Sequence, residues 1–509
     1  MFLTAAIDER YLWADALCVT HHDPKAASEQ LEAMGTIYAN AVVTIIATDG
    51  DSESGILGLK GVSGPRGIQQ NRIPFGDETL IVRNTYYLND EKPEPYFDRG
   101  WTFQEYELSG RKLIAFNQEL HWLCACSTWH EELTLYTEID GPFSDHSDIL
   151  KAGFPDDFCL SRYLFEYSYR SLTFEEDALP AISGLLSIFS RSFDGGFLYG
   201  IPEMFFEHSL GWRGRNLRRR VQSGRPAENR FEFSGLPSWS WLSWKGFIAW
   251  RNQTAVRIRS NPIEEAFPIT AWYTSEFPSD PPERRRRIQS AWYDKRDGFK
   301  DFTKPMPSGW SRREVATGTS SKSEPHPHPD GCDKYVFQHE SISEYYGRPL
   351  EWYYPFPVDE VKASTPLCMP NQTQYLFCET FQAQLSGYQQ VPDRWEYSIQ
   401  PEAKLCNKYG KVIGKLDLND EDSTNRFPEV IDTANIGLQV DVIAICKLKR
   451  YTKMEREGAM LDLPQTTKDL YLVLWVEWKD GIAYRHASGE VIAEEWEKLD
   501  LEKISLILG

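Results

Sequence analysis

The run Val42-Val43-Thr44-Ile45-Ile46-Ala47 constrains this chain more than any other feature. Its β-branched residues favour a strand buried on both faces, the habit of parallel sheets. Ahead of it, Asp23-Pro24 reads as an N-cap followed by the first helical residue. The Asp oxygen accepts orphan N–H groups there, and Pro has none to satisfy. The helix that follows places Leu31, Met34, Ile37 and Tyr38 on one face. Further upstream, Tyr11-Leu12-Trp13-Ala14-Asp15-Ala16-Leu17-Cys18-Val19 reads as another buried strand with a polar exit. Strand, helix and strand in close succession make a βαβ unit and predict an α/β fold built on a parallel sheet.

Beyond Thr48–Gly67, a loop rich in Gly, Ser and Asp, a short strand is expected near Thr79–Arg83. A helix then opens at Arg99-Gly100-Trp101, and strands are expected at Lys112–Phe116 and Glu119–Cys126. The middle reads as helical, over Asp156–Ser171, behind a Thr173-Phe174-Glu175-Glu176 capping box, and over Pro202–Leu210. Pro237-Ser238-Trp239-Ser240-Trp241 begins an aromatic, strand-like stretch. Residues 304–332 hold Pro, Ser, Thr, Gly and His with almost no large apolar side chains, and are read as a disordered linker. The C-terminal part is β-rich, with strands at Val440–Leu448 and Leu470–Trp478, and with Ile482–Arg485 split from Val491–Ala493 by Ser488-Gly489. The expected organisation is residues 1–135, a helical and aromatic-rich middle at 150–300, the linker, and a β-rich module at 335–509.

Composition narrows the function. The formal net charge of -20 lacks the basic footprint of general nucleic-acid binding, although it leaves room for a local basic patch. No apolar run is long enough for a membrane span, and Met1–Arg10 is too short and polar for a signal peptide. The sparse, odd number of cysteines, 9 in 509 residues, suits a reduced cytosolic or nuclear setting, of which the cytoplasmic one is expected. The Asn252 and Asn371 sequons are accordingly not read as glycosylation sites. His121, Cys124, Cys126 and His130 are metal-ligating types, but their spacing matches no standard pair of zinc knuckles, so no metal site is assigned. His326 and His328 alternate with prolines and read as linker, and Arg284–Arg287 as a solvated loop. Cys18 near His21 and His22 is too nonspecific to mark a thiol nucleophile.

Several segments together resemble the fungal heterokaryon-incompatibility (HET) domain family. Tyr11–Val19 is similar to the family's "YLWIDALCI" block, and Met34-Gly35-Thr36-Ile37-Tyr38-Ala39-Asn40-Ala41 to "MGxIYxNA". Gly55-Ile56-Leu57 sits where the family has "GL", and Arg99-Gly100-Trp101-Thr102-Phe103-Gln104-Glu105 resembles "RxWTxQE". Looser likenesses continue through Leu172–Gly184, Pro237–Trp241 and Ala483–Trp496. The family's first block, "YxxLSYxWG", is not in the chain, which implies an N-terminally truncated HET module with an incomplete sheet. The resemblance implies a TIR-like (flavodoxin-like) parallel sheet. It also implies a role in fungal allorecognition and programmed cell death through protein partners or self-association.

Some TIR domains cleave NAD at the nicotinamide–ribose bond with a Glu on the helix after an apolar strand. Glu105 is the matching residue here, and NAD the implied substrate; no cofactor is implied. Trp101 lies one turn before Glu105 on the same helix face, so ring and carboxylate can line one pocket. Such a carboxylate would stabilise an oxocarbenium-like charge. The plainer alternatives are a Glu105 paired with Arg99 or Arg111 and a Trp101 in the core. Asp15, inside an apolar segment, must be hydrogen-bonded or line a pocket. Arg99 would pair with a ligand phosphate or with a carboxylate. The ligand-binding candidates are thus Asp15, Arg99 and Trp101.

Overall fold

The computed structural model describes residues 1–20, 22–49, 55–67, 71–82, 95–124, 126–131, 157–222, 235–250, 263–290, 298, 300–314, 329, 331–332, 334–340, 351–355, 368–389, 401–428, 437–453 and 465–509. Two compact units emerge. The first holds residues 1–147 with 170–172 and 180–185; the second holds 148–169, 173–179 and 186–509.

In the first unit Asp23 caps helix α1 (Pro24–Glu32), its carboxylate accepting from the backbone N–H groups of Lys25 and Ala26 at 3.0 and 3.2 Å. Helix α2 (Met34–Asn40) follows directly and buries Met34, Gly35 and Tyr38. Strand β1 (Thr44–Ala47), helix α3 (Trp101–Leu108) and strands β2 (Arg111–Phe116), β3 (Glu119–Cys124) and β4 (Ser127–His130) complete the part that matters for function. The sheet runs β1-β2-β3-β4. Ile46, Ile114, Phe116 and Leu123 form its core.

Two expectations are corrected here. Tyr11–Val19 is not a strand. The chain is irregular to Ala14 and then makes a one-turn helix, Asp15–Cys18, with Tyr11 84% and Leu17 75% exposed and only Val19 buried. No described strand pairs with this segment, and its backbone closes on itself, Val19 N–H donating to the Asp15 carbonyl. The fully parallel sheet is also realised only once. Thr44–Ala47 pairs in parallel with Lys112–Ala115, whereas β2–β3 and β3–β4 are antiparallel hairpin pairings. The architecture is mixed α/β with a small N-terminal sheet.

The second unit is built around tryptophans. Trp212, Trp239, Trp241 and Trp244 are each at most 1% exposed. Buried indoles require acceptors: Trp212 donates to the Trp239 carbonyl at 2.8 Å, Trp239 to Gln374 at 2.9 Å and Trp241 to Gly200 at 3.0 Å. Pro237–Ser243 is a turn and a short 3-10 helix, and the strand of the expected stretch, which reaches to Trp250, follows at Trp244–Ala249. Ser240 caps the 3-10 helix, accepting from Leu242 N–H at 3.0 Å while donating to the Tyr199 carbonyl at 2.8 Å. The 3-10 turn Glu175–Ala178 has Phe174 at its N-cap, with no side-chain cap from that residue, and Glu175 takes Arg218, at 2.6 Å, and Arg220. The Arg284–Arg287 run is structured too, with Arg285 3.8 Å from the Phe377 ring and Arg286 bound bidentately by the buried Glu203. Trp310–Glu314, inside the expected linker, pairs with Tyr335–His339 as a strand; residues 315–328, with His326 and His328, lie outside the described residues.

The C-terminal strands close on themselves. Strands β5 (Tyr375–Gln389), β6 (Glu402–Cys406), β7 (Val412–Asp417), β8 (Leu438–Lys453), β9 (Gln465–Lys479) and β10 (Ile482–Ile492) pair antiparallel in the order β8-β9-β10-β7-β6-β5. A further pairing of β5 with β8, Gln382–Gly387 against Ile443–Leu438, completes a six-stranded ring. Leu405, Ile413, Leu416, Val440, Val442, Val473, Trp475 and Val491 fill its interior, with Trp496 of the Ala493–Trp496 turn. β10 is one continuous strand because Gly489 has no side chain: a Cβ there would sit 2.3 Å from the Lys415 carbonyl. No helix among the described residues is long and apolar enough to cross a membrane.

Candidate functional site

Helices α2 and α3 meet in the first unit, and Tyr38 of one hydrogen-bonds Glu105 of the other. Glycine lets α2 close on a third segment of the unit, residues 180–185. A Cβ on Gly35 would lie 2.6 Å from the Gly184 Cα. Helix α3 is tied down at its end, where Ser109 Oγ donates to the Glu105 carbonyl at 2.5 Å and shares a buried 2.6 Å hydrogen bond with Thr44 of β1. At its start, Gly100 N–H donates to the Ser171 carbonyl at 2.7 Å and Ser171 N–H to Asp98 at 2.6 Å. Arg170 lies 4.7 Å over the Phe103 ring and donates to the Arg99 carbonyl and Thr102 hydroxyl, both at 3.2 Å. The Glu105 backbone is thus fixed on both sides.

Charge converges on the same point. Burial, then the neighbouring Asp15 carboxylate, push the Glu105 carboxyl up to about 7, against the opposing pull of Arg99, the Tyr38 hydroxyl and Arg170. Burial and the same two carboxylates raise the Tyr38 phenol. Tyr96 is raised by burial and by Glu105. Trp13 packs edge-on to Tyr38 with ring centroids 5.5 Å apart. A carboxyl poised near neutrality and flanked by an acid, a guanidinium and a phenol can hold or release a proton, or face a cationic centre.

Three of the four residues singled out in the sequence, Asp15, Arg99 and Glu105, are therefore brought into one electrostatic cluster. Trp101 stands half-buried in the first turn of α3. Sequence reasoning missed Tyr38 and Arg170. Tyr38 was legible only as one member of an apolar helix face; its hydroxyl, which a buried tyrosine must satisfy, was the available signal.

The His121, Cys124, Cys126, His130 set is divided by strand alternation. His121 and Leu123 lie on the buried face of β3 and Cys124 on the other. His121 and His130 are cross-strand partners with Nδ1 atoms 2.7 Å apart, a hydrogen-bonded imidazole pair. Desolvation would raise the Cys124 thiol, but hydrogen bonds from Cys126 N–H and the Ser127 and Trp122 side chains hold it at about 7. Among the described residues, no three His, Cys, Asp or Glu side chains are grouped to hold a metal ion.

Neither a curated protein nor a solved structure matches the chain. Residues 1–105, which carry Asp15, Tyr38, Arg99 and Glu105, match the family model described as heterokaryon incompatibility protein (HET), so this N-terminal stretch is similar to that domain.

Proposed function

We propose that this chain is a HET-domain allorecognition and cell-death effector that acts through protein contacts in the cytoplasm, self-association first. The domain ties the chain to heterokaryon incompatibility. The observation carrying the reading is the exposed apolar segment around the one-turn helix: Tyr11 and Leu17 stand almost wholly in solvent, with Phe2, Ile7 and Leu12 beside them in sequence and also exposed. Contiguous apolar exposure of this kind marks contact surfaces. Sedimentation velocity over a concentration series tests it. Assembly that grows with concentration and is lost in Tyr11→Ser/Leu17→Ser is expected; a monomer at every concentration sinks the reading.

A second reading rests on the Glu105 cluster: a TIR-like NAD hydrolase breaking the nicotinamide–ribose bond. An ionised Glu105 faces the oxocarbenium-like charge, Tyr38 fixes its rotamer, and Arg99 takes a phosphate. The parallel β1–β2 pairing beside α3 is the flavodoxin-type element that supports it. Because Glu105 titrates near 7, turnover is expected to rise with pH through neutrality. Nicotinamide release from NAD, absent in a folded Glu105→Ala variant, supports this reading; release that survives the substitution eliminates it.

A further inference from the structure

One end of the six-stranded barrel carries a cleft of about 890 Å³, within the size range of small-molecule sites. Five of the six strands contribute to it. Its lining holds six lysine or arginine side chains and four carboxylates, in a chain where carboxylates outnumber Lys and Arg 75 to 55.

The register makes this excess costly. Lys404 lies directly opposite Lys415, and Arg450 directly opposite Lys468. Directly opposed side chains start about 5 Å apart, and like charges at that separation repel. In each pair one member is neutralised by the protein. Glu402 takes Lys415. Glu264 and Glu490 both take Arg450, Glu264 at 2.6 Å from Nε and Glu490 at 3.0 Å from Nη1. Lys404 and Lys468 have no carboxylate partner among the described residues, and both face the cleft.

Spacing sets the size of the missing anion. From β6 to β9 there are three strand intervals, β6–β7, β7–β10 and β10–β9. That separates the two backbones by about 14 Å across the strands, and because the Lys404 rung runs through Lys415 and Glu490 to Leu472, four residues from Lys468, by about 13 Å along them, roughly 20 Å in all. Each lysine reaches roughly 6 Å on its four-carbon stem. A single phosphate touches one ammonium or the other; the roughly 8 Å left between the extended ammonium groups is spanned by a chain of three phosphates or by spaced phosphates on a ring.

We propose that this rim cleft binds a small ligand bearing clustered phosphate groups, clamped between Lys404 and Lys468, with the Arg450–Glu490 pair as its fixed floor. Tripolyphosphate and orthophosphate serve as probes by titration calorimetry on the full chain, alongside phosphatidylcholine vesicles with and without phosphatidylinositol bisphosphate. Tripolyphosphate is expected to bind at least ~10-fold more tightly than orthophosphate, and Lys404→Ala/Lys468→Ala to weaken it at least ~10-fold. Binding to the phosphoinositide vesicles alone, lost in the double variant, supports the same clamp and identifies a lipid headgroup as the source. Binding to neither probe, or binding unchanged in the double variant, overturns the site. Folding of the variant is read independently: without ligand its melting temperature is expected to equal or exceed that of the unaltered chain, because two repulsions are removed. A lower value overturns the like-charge argument.

Discussion

Glu105→Gln isolates the electrostatic cost stored between α2 and α3. Gln keeps the size of the side chain and an oxygen for the Tyr38 hydroxyl, but it never ionises. The Glu105 carboxyl moves from an ordinary 4.5 to about 7 on folding. At about 1.4 kcal/mol per tenfold change in proton affinity, that displacement corresponds to at most about 3 kcal/mol. The sign follows from the direction. A carboxyl raised in the folded state contributes its stability fully below pH 4.5 and loses it as pH climbs through 7. Urea unfolding of the N-terminal unit at pH 5 and pH 8 gives the comparison. Near pH 5 the two proteins should differ little. By pH 8 Glu105→Gln should be the more stable by up to about 3 kcal/mol. An offset that is the same at both pH values, or a less stable variant at pH 8, refutes the reasoning.

Gly35→Ala should destabilise the N-terminal unit by about 1–3 kcal/mol in urea titrations, since the new methyl would sit 2.6 Å from the Gly184 backbone. Ser240→Ala should cost about 1–2 kcal/mol by the same measurement on the second unit, because it strands Leu242 N–H and the Tyr199 carbonyl in a buried turn. Arg450→Met should cost about 3–5 kcal/mol, because the substitution leaves Glu264 and Glu490 without their shared cation, and acidification should restore part of the loss.

Local signals in the sequence were reliable where the chain decides locally. Asp23-Pro24 starts a helix, Thr44–Ala47 is a strand in parallel pairing, and α3 begins at Trp101. The failures share a different cause. Tyr11–Val19 has strand composition, but a strand needs a neighbour, and pairing partners are not written in a segment's own residues. The stretch from Pro237 reads as strand-like, but its strand starts only at Trp244, after a turn whose indoles, Trp239 and Trp241, donate to distant carbonyls. Gly489 looked like a break and is instead a point of close backbone approach. The site was half legible. Family likeness pointed to Glu105, Asp15 and Arg99; Tyr38 and Arg170 join them only through helix packing. Closure of the barrel depends on β5 meeting β8 across long sequence separation, which no local pattern encodes.

That closure also sets a schedule for biosynthesis. A growing polypeptide can thread β5 through β9 and still present unpaired ladders, because the bridging strand ends only at Ile492. Until Ile492 has emerged from the ribosome, the nascent chain carries open sheet borders suited to sticking to other chains. Chaperone dependence should therefore concentrate in the interval before β10 emerges, and products stopped ahead of that strand should be the aggregating ones.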